Sequence, residues 1–166
     1  MRHRAGFTLV EILVVVAIVA GLAALAIPNQ LRARMVANES SAIGNLAALM
    51  GALDMYRNVH HTFPADGTWQ ASMFDNATPD FAPIKFSGDM IAQEIQGYLY
   101  TYARMAGSDG GGYELVLRPA TVSLTGDRSF YANHTGTMRH CTCHADPSCP
   151  SATASDNPIQ QTPTSC

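Results

Sequence analysis

Residues 7–27, from Phe7 to Ile27, read FTLVEILVVVAIVAGLAALAI and carry 18 hydrophobic residues and a single charge, Glu11. At about 1.5 Å per residue, a helix over this run spans about 31 Å, the thickness of a bilayer core. Valine, isoleucine, leucine and alanine follow one another without an amphipathic period, so the helix is apolar on every side and belongs in lipid or among other helices. A secretory signal peptide has a shorter apolar region, of about 7–15 residues, and then a small-residue cleavage site. This run is longer and ends in IPNQLRAR, Ile27 to Arg34. A plain membrane anchor accounts for the length but not for Glu11. A carboxylate inside a spanning helix costs roughly 2.5–3.5 kcal/mol at the bilayer centre and less near the interface. It therefore calls for a partner. No Lys or Arg lies within helical reach on its core side, which leaves a group on another chain or an amine created by cleavage. Cutting between Gly6 and Phe7 would place a cationic amino terminus four residues before Glu11, where Glu11 of a staggered neighbour could meet it.

Ahead of the run stands a short basic segment, MRHRAG, Met1 to Gly6. This leader, the sequence Gly6-Phe7-Thr8-Leu9-Val10-Glu11 and the apolar run leading to Pro28 together resemble the prepilin peptidase site of type IV pilins and type II secretion pseudopilins. The motif is specific, because a glycine, an aromatic start and a carboxylate must coincide with an apolar helix. The resemblance implies cleavage between Gly6 and Phe7, N-methylation of Phe7, and a role for Glu11 in processing, methylation or subunit registration. Processing would remove Arg2 and Arg4 and make the net charge of −3 more negative by two. Arg2, His3 and Arg4 favour a cytoplasmic amino terminus, but Arg32 and Arg34 flank the far end. The positive-inside count is thus nearly balanced, and the leader resemblance and the cysteines place the bulk of the chain outside the cytoplasm.

The whole chain has 166 residues, 47% hydrophobic and 14% charged, with a mean hydropathy near zero. This average covers two solvents, a lipid-soluble stalk and a polar, acidic remainder. The length suits one domain plus an appendage. With 13 acidic and 10 basic residues, no basic excess points to nucleic acid. The apolar content excludes disorder of the whole chain. The single long apolar run excludes a polytopic membrane protein.

Beyond Pro28, apolar residues at Leu31, Met35, Val36, Ala42, Ile43, Leu46, Leu49, Met50, Leu53 and Tyr56 step by threes and fours, the stripe of an amphipathic helix. Arg32, Arg34, Asn38, Glu39, Asn45, Asp54 and Arg57 fall largely off it, and the stripe is expected to dock on the chain's own carboxy-terminal domain. Pro28 costs the helix a hydrogen bond or kinks it, so Gly21–Pro28 is a place for bending or local unwinding. In the resembling family this stretch can lose helical structure in the filament, which would make Gly21 and Pro28 assembly residues. Gly44, Ala48 and Gly51 form a small-residue strip where another helix could approach. The helix should end near Arg57–His60. The Tyr56 to Phe63-Pro64 exit is similar to that of pseudopilins and related pilins. Residues 65–97 read as a long connection with a short helix over Asp89–Ile95. His60 and His61 read as solvated loop residues.

From Tyr98 the period becomes two: Tyr98, Tyr100 and Tyr102 alternate with Leu99, Thr101 and Ala103. Turn signals at Ser108–Gly112, Thr125–Asp127 and Asn133–Gly136 separate further alternating runs at 113–118, 128–131 and 137–139, which predicts an antiparallel sheet of three or four strands. The stacked tyrosines read as sheet packing.

All four cysteines, Cys141, Cys143, Cys149 and Cys166, lie in the last 26 residues. Residues 140–166 hold one large aliphatic residue, Ile159, with four prolines and eight Ser or Thr, too little to build a core. An even cysteine count outside the cytoplasm predicts two disulfides. Cys141 and Cys143 are too close to bridge comfortably, so each should pair with Cys149 or Cys166, at about 2–3 kcal/mol per loop closed. The run His140-Cys141-Thr142-Cys143-His144 fails the spacing for haem attachment. By ligand type, Cys141, Cys143, His144 and Cys149 could hold zinc. The oxygen ligands for calcium, which some major pseudopilins bind, would be Asp75, Asn76, Asp80, Asp109, Asp127 and Asp146, but no loop motif joins them. No Ser/His/Asp, paired-carboxylate or phosphate-loop signature is present, so no catalytic residue and no cofactor is expected.

The expected fold class is α+β and pilin-like, with a long amino-terminal helix, membrane-spanning in its first half, on a small antiparallel sheet. The expected segments are a leader (1–6), a transmembrane assembly helix (7–27), its amphipathic continuation (28–58), a connecting loop and sheet head (59–139) and a Cys/Pro/Ser/Thr-rich tail (140–166). The resemblance implies a non-enzymatic filament subunit of the bacterial inner membrane and then of a periplasmic or cell-surface filament. Its partners would be other copies of the chain, the prepilin peptidase, an inner-membrane assembly platform and the lipid bilayer. A type II secretion pseudopilin is the alternative, and a membrane-anchored metal or redox protein built on the HCTCH cluster is the alternative of another class.

Overall fold

The structure is a computed structural model of the chain, and it describes residues 6–88, 90–105, 111–143, 151–159, 161–162 and 164–166. Most of the leader, the Ser108–Gly110 part of one turn, Asp89, Asp109, His144, Asp146 and Cys149 therefore lie outside the described residues. Two compact units are present, Met1–Arg34 and Met35–Cys166, and one long helix, α1 (Leu9–His60), supplies residues to both.

In the first unit every described residue from Gly6 to Arg34 is exposed. Phe7 is 86% exposed, and Leu13, Val16, Val19 and Leu25 are uncovered on different sides of the helix. So large an apolar surface in a folded chain needs lipid or protein around it. The helix continues through Gly21 and Pro28. Proline leaves the Ala24 carbonyl without its usual donor.

In the second unit α1 packs on a sheet. Its inward stripe is Ala42, Leu46, Leu49, Leu53 and Tyr56, all buried, spaced by fours and threes. Two apolar residues expected on this stripe, Leu31 and Val36, are exposed instead. Two polar residues expected off it, Glu39 and Asn45, are buried at 8% and 5% exposure, because the sheet presents polar groups to them.

The sheet is a meander of β1 (Ile91–Ile95), β2 (Tyr98–Met105), β3 (Gly112–Pro119), β4 (Arg128–Asn133) and β5 (Met138–Thr142). The two-residue strands β6 (Asn157–Pro158) and β7 (Thr164–Ser165) pair with β5. All pairings are antiparallel except β5 with β7. Tyr98, Tyr100 and Tyr102 face α1 together with Tyr113, Leu115, Leu117 and Phe130, and all seven are buried. Aromatic side chains bury about 150–250 Å² each, so these tyrosines are sheet packing, and their rings interlock with Phe63, Trp69 and Phe86.

Where a helix over Asp89–Ile95 is expected, Ile91–Ile95 form a strand, β1. Ile95 pairs with Tyr98 across the two-residue turn Gln96–Gly97, where both residues have positive φ, 52° and 78°. This is the backbone of a tight hairpin turn, and it folds residues 91–95 back onto β2. The connection before it also differs from a surface loop. Phe63, Trp69, Met73, Phe74, Phe86 and Met90 bury into the core, Met73 and Phe74 on a π-turn (Ala71–Asp75) and Phe86 on a 3-10 turn (Ile84–Phe86). Trp69 Nε1 donates to the Phe86 carbonyl at 2.9 Å, and the Tyr102 hydroxyl to that of Pro64 at 2.7 Å.

The tail extends the sheet beyond β5 through β6 and β7, and Ile159 packs against the main core. Ala152 packs with Tyr131 and Cys141 in a small second cluster, flanked by Val116 and Cys166. Strand alternation puts this cluster on the face of the sheet away from α1. The Ser129 hydroxyl, fully buried, accepts from the Ala152 amide at 2.9 Å and donates to the Leu117 carbonyl at 3.1 Å.

Candidate functional site

Gly6, Phe7 and Thr8 stand outside the helix, which begins at Leu9. The Glu11 carboxylate accepts from the Thr8 backbone N–H at 2.9 Å and from the Thr8 hydroxyl at 3.0 Å, while the Thr8 hydroxyl oxygen accepts the Glu11 amide at 3.2 Å. This is a capping box: threonine at the cap and glutamate three residues on satisfy two amides that a helix start leaves unpaired. The partner of Glu11 was expected on another chain or on a new amine. Within this chain it is Thr8, and the charge also sits at the positive end of the helix dipole. The signal was present in the sequence, since Thr-x-x-Glu before an apolar run marks a helix start. Phe7 and Ile12 line one shallow groove with Val14 and Val15. They occupy the positions flanking the cap that a hydrophobic staple uses.

In the second unit, two polar nodes fix α1 to the sheet. The Glu39 carboxylate accepts from the Asp127 amide at 2.9 Å and pairs with Arg128. The neighbouring Asn38 amide donates to the Thr125 carbonyl at 3.0 Å. Asn45 donates to the Tyr100 hydroxyl at 2.9 Å and to Gln96 Oε1 at 3.1 Å, and accepts from Lys85 Nζ. The corner at residues 125–128 also holds Tyr98, whose hydroxyl donates to the Arg128 carbonyl at 2.9 Å. A Cβ at Gly126 would collide with that tyrosine's hydroxyl and ring. Burial, ahead of the field of Glu39, pushes the Tyr98 hydroxyl far above the usual phenol range. Burial does the same at Tyr102 and Tyr113 and also raises Tyr100.

Among the tail cysteines, Cys141 is bonded to Cys166, with Cα atoms 5.1 Å apart and a sequence separation of 25. Cys143 is disulfide-bonded as well. A zinc site requires thiolates, and sulfurs committed to disulfides do not supply them. Among the described residues no three His, Cys, Asp or Glu side chains come together as a metal site. Asp75 is instead bonded to Gln70 and Asp127 to Ser123. His60 and His61 are exposed, and His60 stacks on Tyr56 at 4.3 Å.

A family model described as the prokaryotic N-terminal methylation motif matches residues 1–27. The type IV wide pilus major component PilA4 of Thermus thermophilus is 33% identical over 111 residues, 67% of this chain and 79% of that protein. This chain belongs to the type IV pilin and pseudopilin family. Type II secretion system core protein G of Escherichia coli is 37% identical over 73 residues, 44% of this chain and 50% of that protein. Core protein G of Pseudomonas aeruginosa is 41% identical over 88 residues, 53% and 62% of the two chains. The chain thus spans about half the length of the first of these secretion-system relatives. No solved structure matches it significantly. The relatives are named for a pilus component and a secretion-system core protein, and neither name denotes an enzyme. The pilin-like pattern of a long apolar amino-terminal helix and an α+β head is the architecture described above.

Proposed function

We propose that the chain is a structural filament subunit, made as a single-pass inner-membrane prepilin, cut between Gly6 and Phe7 and methylated on Phe7, then assembled outside the cytoplasm. The observation that carries this reading is the methylation-motif match over residues 1–27, laid on a helix whose apolar side chains from Phe7 to Ile27 are uncovered on every side. In a filament, apolar segments 7–27 of neighbouring copies bury one another. Glu11 registers a subunit against the amino terminus of the next, and Gly21 and Pro28 give the bundle its points of adjustment. The partners are further copies, the prepilin peptidase, the membrane assembly platform and the bilayer. The sheet and its disulfide-closed tail coat the outside, and the subunit needs no cofactor. Intact mass of the membrane-extracted protein tests this reading. A mature chain starting at methylated Phe7 is expected, and any other start refutes it.

The secretion pseudopilin is the second reading, favoured by the core protein G relatives at 37–41% identity. Deleting the gene and assaying both surface filaments and exported proteins separates the two. Loss of filaments alone supports the pilin, and loss of export alone supports the pseudopilin.

A further inference from the structure

The two sides of the sheet end differently. β1 is one edge. Its ladder with β2 is interrupted between Ile91 and Gln93, and Ala92 at the interruption has a φ of 59°, the local bend of a bulge. A bulged edge is a poor template for another strand. On the other side β5 is regular. Its pairing with β4 runs without a break from Met138 to Thr142, and its sequence, Met-Arg-His-Cys-Thr, holds no acidic residue and no proline.

Successive residues of an antiparallel strand turn their N–H and C=O groups to opposite sides. The Met138 carbonyl accepts from the Ile159 amide at 3.1 Å, and the Thr142 carbonyl from the Cys166 amide at 3.0 Å. The backbone groups of Met138, His140 and Thr142 therefore face away from β4, as a row of donors and acceptors. Left open, such a row pairs with an extended chain that reaches it. The tail closes it: β6 pairs with Arg139 and His140, and β7 with Cys141 and Thr142. Each of these strands has two residues, too short to template a further strand. Pro158 lies opposite Arg139, where its backbone nitrogen faces outward, and proline has no N–H to offer there. Strands this short do not hold themselves. β7 is tied to β5 by the Cys141–Cys166 bond, and the rest of the tail by the Arg139 guanidinium on the Asp156 carbonyl and the Ala152 amide on the Ser129 hydroxyl.

We propose that the outward edge of β5 is a strand-acceptor for β5 of a second copy of this chain, and that the crosslinked tail is the guard that keeps this edge closed. The edge is self-complementary. Two copies of β5 laid antiparallel about a two-fold axis at His140 set Met138 of each opposite Thr142 of the other, so that outward donors meet outward acceptors. In that register Arg139 lies opposite Cys141 and not opposite another arginine. With the edge guarded, heads crowded side by side do not join by strand addition, and the apolar helix remains the route by which copies associate.

Hydrogen exchange of the full chain in detergent micelles over a range of protein concentrations tests this. The amides to follow are His140 and Thr142, with β2 and β3 amides as internal standards for the folded head. In the oxidised wild type both should exchange slowly at every concentration. With Cys141→Ser and Cys166→Ser together the tail is loose, and both should exchange freely in dilute protein and become protected as it is concentrated. Once paired copies dominate, the rate should fall by about threefold for each tenfold rise in concentration, the square-root dependence of a two-chain equilibrium. Reduced wild-type protein should behave in the same way, with no substitution that could disturb folding. Association through the apolar helices leaves these two amides untouched. Adding Thr142→Pro to the serine pair removes an outward N–H at an edge position, where proline is tolerated, and should abolish the concentration dependence at His140. Exchange independent of concentration in both loosened proteins overturns the proposal. So does the same dependence in the oxidised wild type, or its persistence with Thr142→Pro.

Discussion

The Glu39 carboxylate of α1 and the Arg128 guanidinium of β4 meet at 2.7 Å, 89 residues apart in sequence, with Glu39 buried and Arg128 31% exposed. The same carboxylate caps the Asp127 amide, so one side chain fixes both the position of the helix and the corner that leads into β4. Removing one partner of a buried pair leaves the other charge uncompensated and costs about 3–5 kcal/mol. Because Arg128 keeps some access to water, Glu39→Ala should lie at the low end, a loss of about 3 kcal/mol, read as a shift of the urea unfolding midpoint. The double change Glu39→Met with Arg128→Met should lose less than the sum of the single ones. Strict additivity would show that the two residues are not coupled.

The tail is expected to depend on its crosslink. Tying Cys141 to Cys166 closes a loop of 25 residues, worth about 3–4 kcal/mol in the chain-entropy account. Paired replacement of Cys141 and Cys166 by serine should detach β7 and the Ala152 contact first, since these rest on the tail. Limited proteolysis should then cut within residues 151–166 while the α1–sheet core resists. Cleavage in the core at the same rate would mean that the tail does not open independently of the core.

Alkali should unfold the head domain cooperatively. The hydroxyls of Tyr98, Tyr100, Tyr102 and Tyr113 are all raised, in each case chiefly by burial. A group whose pKa is higher folded than unfolded keeps its full stabilisation below the unfolded value, about pH 10 for tyrosine. That contribution is then lost as pH rises towards the folded value, by up to about 1.4 kcal/mol per pH unit for each tyrosine. Tyrosinate absorbance and loss of β-sheet signal should therefore rise together above about pH 10. Tyrosines that ionise near their ordinary value with the sheet signal intact would contradict this packing.

What the sequence made legible follows the range of the interactions involved. The apolar run 7–27, the stripe from Ala42 to Tyr56 and the alternation at Tyr98–Tyr102 are local patterns, one of unbroken composition and two of period, and each coincides with a helix or strand. Glu39 and Asn45 looked like solvent-side polar residues because their partners at 127–128 and at 96 and 100 are distant in the chain. β1 went unseen because its turn is Gln96–Gly97, and glutamine seldom takes a positive φ in such turns. The tail carries one large aliphatic residue, and its Ala152 joins a cluster with Tyr131 and Cys141. That Ala152 packs on the back of the sheet depends on Ser129 and Tyr131, residues with no mark in the local pattern. At the amino terminus the reason is of another kind: the partner of Glu11 is the neutral hydroxyl and amide of Thr8, which a count of charges does not show.

That capping pair gives the sharpest local test. Thr8→Val keeps the shape of the side chain and removes the hydroxyl that both accepts the Glu11 amide and donates to its carboxylate. Loss of a threonine cap costs about 1 kcal/mol, which is roughly fivefold in the local opening constant. Amide exchange at Thr8, Glu11 and Ile12, whose N–H groups are bonded within this cap, should accelerate in micelles by about that factor, with residues beyond the first turns unchanged. Glu11→Gln should keep most of the protection, because an amide oxygen at this position still accepts from the Thr8 backbone N–H. Glu11→Ala should lose it. Equal exchange in all four proteins would mean that the helix start is held by the surrounding lipid or detergent, and that Glu11 is free of its own chain.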